Sequence, residues 1–179
     1  MTKKIYRLTK ISLMAALLCV ISPFAIVFPF SPVPISSATF MLYLSVYILR
    51  KSDAVISCGI YLLIGFVGIP VFSGFTGGIG KVLGPTGGYM IGYLFLAFIS
   101  GWFVERWNNY LLQGIGMIFG TAVCYLFGSM WLAYQAGMEF SAALAVGALP
   151  FIPGDIVKIM IGVMAGNVVK KRLVKAGVM

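Results

Sequence analysis

Apolar residues run along this chain in long blocks, broken by short polar or glycine- and proline-rich intervals. Six blocks have the character of membrane-spanning helices, at residues 11–30, 36–49, 54–69, 85–104, 111–134 and 155–169. The pattern predicts an all-α integral membrane protein that forms one domain over residues 1–179, with an outer loop at 70–84. The polar opening carries Lys3, Lys4, Arg7 and Lys10, and no small-residue cleavage site with polar flanks follows it. The first block therefore reads as a retained helix rather than a signal peptide.

Composition strengthens this class. Apolar residues make up 61% of the 179 and charged residues 9%, against roughly 25% charged in soluble domains. Mean hydropathy is +1.05. Six spans and short loops leave no room for a soluble catalytic domain. A net charge of +9 would suit nucleic acid, but the basic residues lie at the ends of apolar runs, where topology signals fall. The expected surroundings are the lipid bilayer, with no nucleic acid. With both termini in the cytoplasm, 11 of the 13 lysines and arginines fall on the inner side: Lys3, Lys4, Arg7, Lys10, Arg50, Lys51, Arg106, Lys170, Lys171, Arg172 and Lys175. Lys81 alone lies outside and Lys158 lies within the membrane region. That bias favours six spans; an odd number would put one basic terminus outside.

The inventory of reactive groups is short. The chain has no histidine, and Cys19, Cys58 and Cys124 lie in apolar runs without metal-type spacing. They read as small buried packing residues, and no metal or cofactor is expected. No span holds paired carboxylates or a hydroxyl beside an obvious base, so the chain is not expected to be an enzyme. The glycine-rich run ending in Gly80–Lys81 fails as a phosphate loop, because Phe75 and Val82 stand where glycine and Ser/Thr are required.

Three segments break the apolar pattern in an informative way. Residues 150–158, PFIPGDIVK, place Asp155 and Lys158 one helical turn apart in an apolar setting, just after a Pro–Gly helix entrance. Such a couple either neutralises itself between helices or serves a ligand, and intramembrane charge is functional by default. Residues 31–36, SPVPIS, carry two prolines, and residues 68–89 carry eight glycines. Backbone this irregular at membrane depth persists only where protein covers it or where it lines a cavity. By topology all three converge on the outer side and define one expected pocket. Phe72, Phe75 and Tyr89 interleave with the glycines and are expected to cover a ligand. Phe40, Tyr43 and Tyr47 form a helical stripe, of which Phe40 and Tyr43 are candidates for an apolar wall while Tyr47 reads as ordinary packing. On the first helix, Ser12/Ala16 and Ala15/Cys19 are small residues four apart, a pattern that permits close helix approach.

FSPVPIS followed by Thr39–Phe40, then GIPVFSGFTGGIGKVLGPTGGYMIGY, then PFIPGDIVK resemble the three signature regions of the biotin-binding S component of energy-coupling factor vitamin transporters. The resemblance covers nearly the whole chain. It implies a six-helix protein of the bacterial cytoplasmic membrane that binds biotin from outside. It also implies as partners one transmembrane coupling protein and two cytoplasmic ATPases. In that family's pattern Asp155 and Lys158 are the PGDxxK acid and base, the ammonium suited to the ligand's carboxylate and the aspartate to its ureido N–H groups. Phe72, Ser73, Gly77, Gly78 and Gly80 resemble the loop that closes over the ligand, and 84–89 its anchor at the fourth span. Ser12, Ala15, Ala16 and Cys19 resemble the surface presented to the coupling subunit. The chain departs from the pattern at Ala38, where many relatives carry glutamine, and at Lys81, where many have a shorter, less polar stretch. Lys81 reads as a solvated loop charge in preference to a second attraction for an anion. The alternatives are an S component for another small amphipathic anion, or a structural membrane protein, which would leave the converging loops and charges without a purpose.

Overall fold

The computed structural model describes residues 2–26 and 33–177. Among the described residues eight helices carry the fold: α1 (Thr2–Ile21), α2 (Ala38–Ile48), α3 (Lys51–Phe66), α4 (Ile79–Val82), α5 (Gly87–Arg106), α6 (Tyr110–Ala136), α7 (Phe140–Gly147) and α8 (Ile152–Lys175). A 3-10 turn at Leu149–Phe151 leads into α8, and a two-residue antiparallel pair, β1 (Ala25–Ile26) with β2 (Ile35–Ser36), closes the segment between α1 and α2. Among the described residues, three helical segments are long and apolar enough to cross a membrane: Gly87–Arg106, Tyr110–Ala136 and the Phe140–Lys175 region; α2 is a shorter apolar helix.

Helices α1, α2, α3, α5, α6 and α8 overlap the six apolar blocks, with shifted ends. The largest shift is in the first, where α1 starts at Thr2 and stops at Ile21 rather than running over 11–30. Pro23 has no amide proton to continue the helix, and Phe24 N–H turns back to the Ile21 carbonyl. Residues 27–30 of that block, and 31–32 of the proline-rich segment, lie outside the described residues. The six-block reading passes over α7, whose eight mostly apolar residues lie between α6 and α8.

Helices α5 and α6 form the most extensive pair in the molecule. Their axes come close because glycine stands at the contact: a Cβ on Gly92 would sit 2.8 Å from the Cys124 Cα. Such small-residue contacts are the usual means of helix packing in lipid, where burial of apolar surface gives no advantage. Helix α2 meets α8 by the same device. The Tyr43 Cβ rests on Gly162 and the Tyr47 ring covers Gly166, so both tyrosines of the α2 stripe are spent on helix packing.

Polar side chains tie the end of the bundle that holds the α2–α3 and α5–α6 turns. Arg7 on α1 donates from Nε to Asp53 Oδ1 on α3 at 2.8 Å. The Lys51 amide donates to Glu105 Oε1 at 2.7 Å. Gln113, fully buried on α6, accepts from Tyr47 of α2 at 2.9 Å and from Asn167 of α8 at 2.7 Å, and donates to the Trp107 carbonyl. Removing this hub strands two buried donors. Gln113→Leu is expected to cost about 1–3 kcal/mol of stability, read as a lowered unfolding midpoint in detergent. An unchanged midpoint would mean the three helices do not depend on it.

Candidate ligand-binding site

At the opposite end of the bundle the chain opens a cleft lined from α2, α3, α5, α6, α8 and both irregular segments. Its polar floor starts at the entrance of α8. Pro153 occupies the first turn, where a missing amide proton costs nothing, and Asp155 follows beside the positive end of the helix dipole. Asp155 is 5% exposed. Its Oδ1 accepts from Lys158 Nζ at 2.9 Å, and its Oδ2 accepts from the Tyr125 hydroxyl on α6.

Lys158 is more fully engaged than a simple ion pair requires. Its ammonium also donates to the Ser36 carbonyl at 2.8 Å and to Thr39 Oγ1 at 3.3 Å. An ammonium has three protons, and all three have acceptors within the protein. Asp155 differs: each carboxylate oxygen takes one donor among the described residues and keeps a second lone pair to offer.

The glycine-rich segment forms the cover. Phe72 and Thr76 exchange backbone hydrogen bonds at 2.9 and 3.3 Å across a tight turn, in which Gly74 and Phe75 both take positive φ, 78° and 55°. The turn is fastened on both sides. The Gly74 amide donates to the Pro23 carbonyl at 2.9 Å, Gly78 to the Gly65 carbonyl at 2.7 Å, and Ser73 Oγ to Ser36 Oγ at 3.2 Å. Phe72 is buried against the bare backbone of Gly65 and edge-on to Tyr61, with 5.6 Å between ring centroids. Further along, Trp131 Nε1 donates to the Gly84 carbonyl at 2.9 Å, and the Tyr89 hydroxyl to the Gly147 carbonyl at 2.8 Å.

Of the residues expected at a ligand site, Asp155, Lys158, Phe72, Ser73 and Tyr89 line this cleft together. Four do not. Phe40 is half-buried on α2 away from the cleft, and Tyr43 is wholly buried behind it, bonded to Thr121 Oγ1 at 2.6 Å. Helical rotation decides this: Thr39 takes the cleft-facing position, and Tyr43 turns toward α8. Gly77 packs on the Ile69 carbonyl and Gly78, with φ 89°, turns the chain into α4, so both shape the cover without lining the cleft. Phe75 also departs from expectation: it is 61% exposed at the turn's tip, edge-on to Phe24. Lys81, read as a solvated charge, instead lines the cleft and is half-buried, and burial pushes its ammonium pKa below the ordinary lysine value. On α1, Ser12 and Ala16 face outward and Cys19 is partly buried, while Ala15 packs into the core and is closed to any partner.

Several lining residues carry no mark in the sequence. Thr121, Cys124 and Tyr125 lie at i, i+3 and i+4 on α6, and Tyr93 lies on α5, one turn beyond the expected Tyr89. Polar and aromatic residues on one face of otherwise apolar helices are the available signal. Without knowing which face turns inward, that signal is indistinguishable from an interfacial belt.

Fold and cleft define the class: a multi-pass helical membrane protein with a polar-floored cleft partly covered by a structured loop. Comparison with known proteins places it more closely. Residues 1–175 match the BioY family, and the chain belongs to that family. It is 34% identical over 164 residues to the biotin transporter BioY2 of Lactococcus lactis, covering 91% of this chain and 89% of that one. It is 30% identical to the biotin transporter BioY of Thermotoga maritima, over 80% of this chain and 84% of that one. The fold matches the crystal structure of the S-component for biotin from an ECF-type ABC transporter with a TM-score of 0.87 and 29% identity, over 95% and 93% of the two chains.

Proposed function

We propose that the chain is the biotin-binding subunit of a vitamin uptake transporter, and not an enzyme. It takes biotin from outside the cell into the cleft over Asp155 and Lys158. The observation that carries the reading is the Tyr125–Asp155–Lys158 chain, centred on the buried Asp155, at the floor of a partly covered cleft in a protein of this family. Biotin is amphipathic, and the chamber suits it. Tyr61, Phe72, Met90 and Phe151 offer apolar contact to the ring system, and the free lone pairs of Asp155 accept from ureido N–H groups.

The finer arrangement follows from the charges. Helices α1, α2, α3, α5, α6 and α8 are the six spans, with both termini on the cytoplasmic side of a bacterial membrane, because that orientation leaves the basic clusters inside. The cleft then opens outward. The sequence carries no nucleotide-binding motif, so uptake draws on ATP hydrolysed by partners: a transmembrane coupling subunit and two cytoplasmic ATPases. The outward residues of α1, Ser12 and Ala16, support that contact.

The test is a titration of detergent-purified protein with biotin and with other water-soluble vitamins, followed by tryptophan fluorescence. Trp131 reports the cover directly through its bond to Gly84. A saturable change with biotin alone is expected. A flat response to biotin, or an equal one to unrelated vitamins, would sink the reading.

A further inference from the structure

The cleft holds two lysines, and they are in opposite states. Lys158 has spent its three protons on Asp155, Ser36 and Thr39. Lys81, among the described residues, makes no ion pair or hydrogen bond through its ammonium, although it is half-buried in the same cleft wall. The other carboxylates offer it nothing: Asp53 and Glu105 are paired with Arg7 and Lys51 at the far end of the bundle, and no ion pair joins Lys81 to Glu139. A partly desolvated cation without a counter-ion is unfavourable in the empty protein and becomes favourable when an anion arrives.

We infer that Lys81, on the loop, is the cation that binds the ligand's carboxylate, and that Lys158 instead holds Asp155 and the α2 entrance in place beneath it. This rests on the biotin-binding reading above and assigns the two ends of the ligand within it. Engaging Lys158 with a carboxylate would require it to release or share one of three existing acceptors, whereas Lys81 gains its first. The assignment also gives the cover a reason to close. Lys81 lies on α4, in the same loop that Phe72, Ser73 and Gly78 fasten over the cleft, so an anion bound there joins the loop to the ligand. A ligand without the negative charge forfeits that link.

The experiment compares biotin with two uncharged derivatives, biotinamide and biotin methyl ester, on wild type, Lys81→Gln, Lys81→Arg and Lys158→Met. Wild type is expected to prefer biotin to biotinamide by about tenfold or more, the range of a charge-assisted contact. Lys81→Gln should bring that ratio close to one by weakening biotin alone, with biotinamide affinity kept as the control for folding. Lys81→Arg should retain the preference. Lys158→Met should weaken biotin and biotinamide together. The inference is overturned if Lys81→Gln keeps the wild-type ratio, if it loses both ligands equally, or if Lys158→Met is the variant that removes discrimination. Equal binding of biotin and its amide by wild type would overturn it while leaving the biotin-binding reading intact. Failure of wild type to bind biotin at all would remove that reading, and this assignment with it.

Discussion

Asp155→Ala is expected to abolish measurable biotin binding and to lower stability by about 1–3 kcal/mol, the cost of leaving partly buried donors without their acceptor. The Lys158 ammonium loses its counter-ion, keeping only Ser36 and Thr39 as neutral acceptors, and the Tyr125 hydroxyl loses the carboxylate oxygen it donates to. Each is partly buried in the cleft wall. Stability alone would not separate a ligand site from a structural ion pair, and a second variant does. Replacing both residues together, Asp155→Leu with Lys158→Met, removes both charges and is expected to recover most of the thermal stability. Biotin affinity should stay lost in that protein. Recovery of binding along with stability would mean the couple only neutralises itself and that the ligand sits elsewhere.

Gly77→Val is the second large effect, and it acts on the cover rather than the floor. A Cβ at Gly77 would lie 2.8 Å from the Ile69 carbonyl carbon, a backbone atom that cannot swing aside as a side chain would. The loop must therefore leave its seat, at a cost on the order of 1–3 kcal/mol. It would carry Phe72 and Lys81 away from the cleft. Biotin affinity is expected to fall by about tenfold or more, with dissociation faster, while the helices and the thermal midpoint change little. The disturbance stays local, because the α5–α6 and α2–α8 interfaces do not involve residue 77. A collapse of yield and midpoint together with affinity would show instead that the loop is needed to fold the bundle.

The two lysines show how far a charge can be read from position alone. Lys158 stands in a PGDxxK pattern that marks it as functional, and Lys81 stands between glycines in what reads as a loop. Nothing in the order of residues says that Ser36 and Thr39, more than a hundred positions away, use up the first lysine's protons. Nor does it say that the loop folds inward and carries the second lysine into the cleft wall. The tyrosines repeat the lesson. Tyr43 reads as a wall residue because it lies near the proline-rich segment, yet it packs on Gly162, and Tyr125, which no motif marks, reaches Asp155.

What the chain determined by itself is whatever depends on local composition and spacing. Long apolar blocks require helices in a membrane, because every backbone polar group must be satisfied within its own segment. Proline and glycine clusters require breaks between them, and an acid–base couple one turn apart requires a partner or a guest. Tertiary structure decided the rotation of each helix about its axis and the path of the 68–89 segment. Those depend on which glycines face which aromatic rings, a match between distant residues that no single segment contains. That match turned Thr39 rather than Phe40 toward the cleft, buried Ala15, and set Lys81 in one chamber with Asp155 and Lys158.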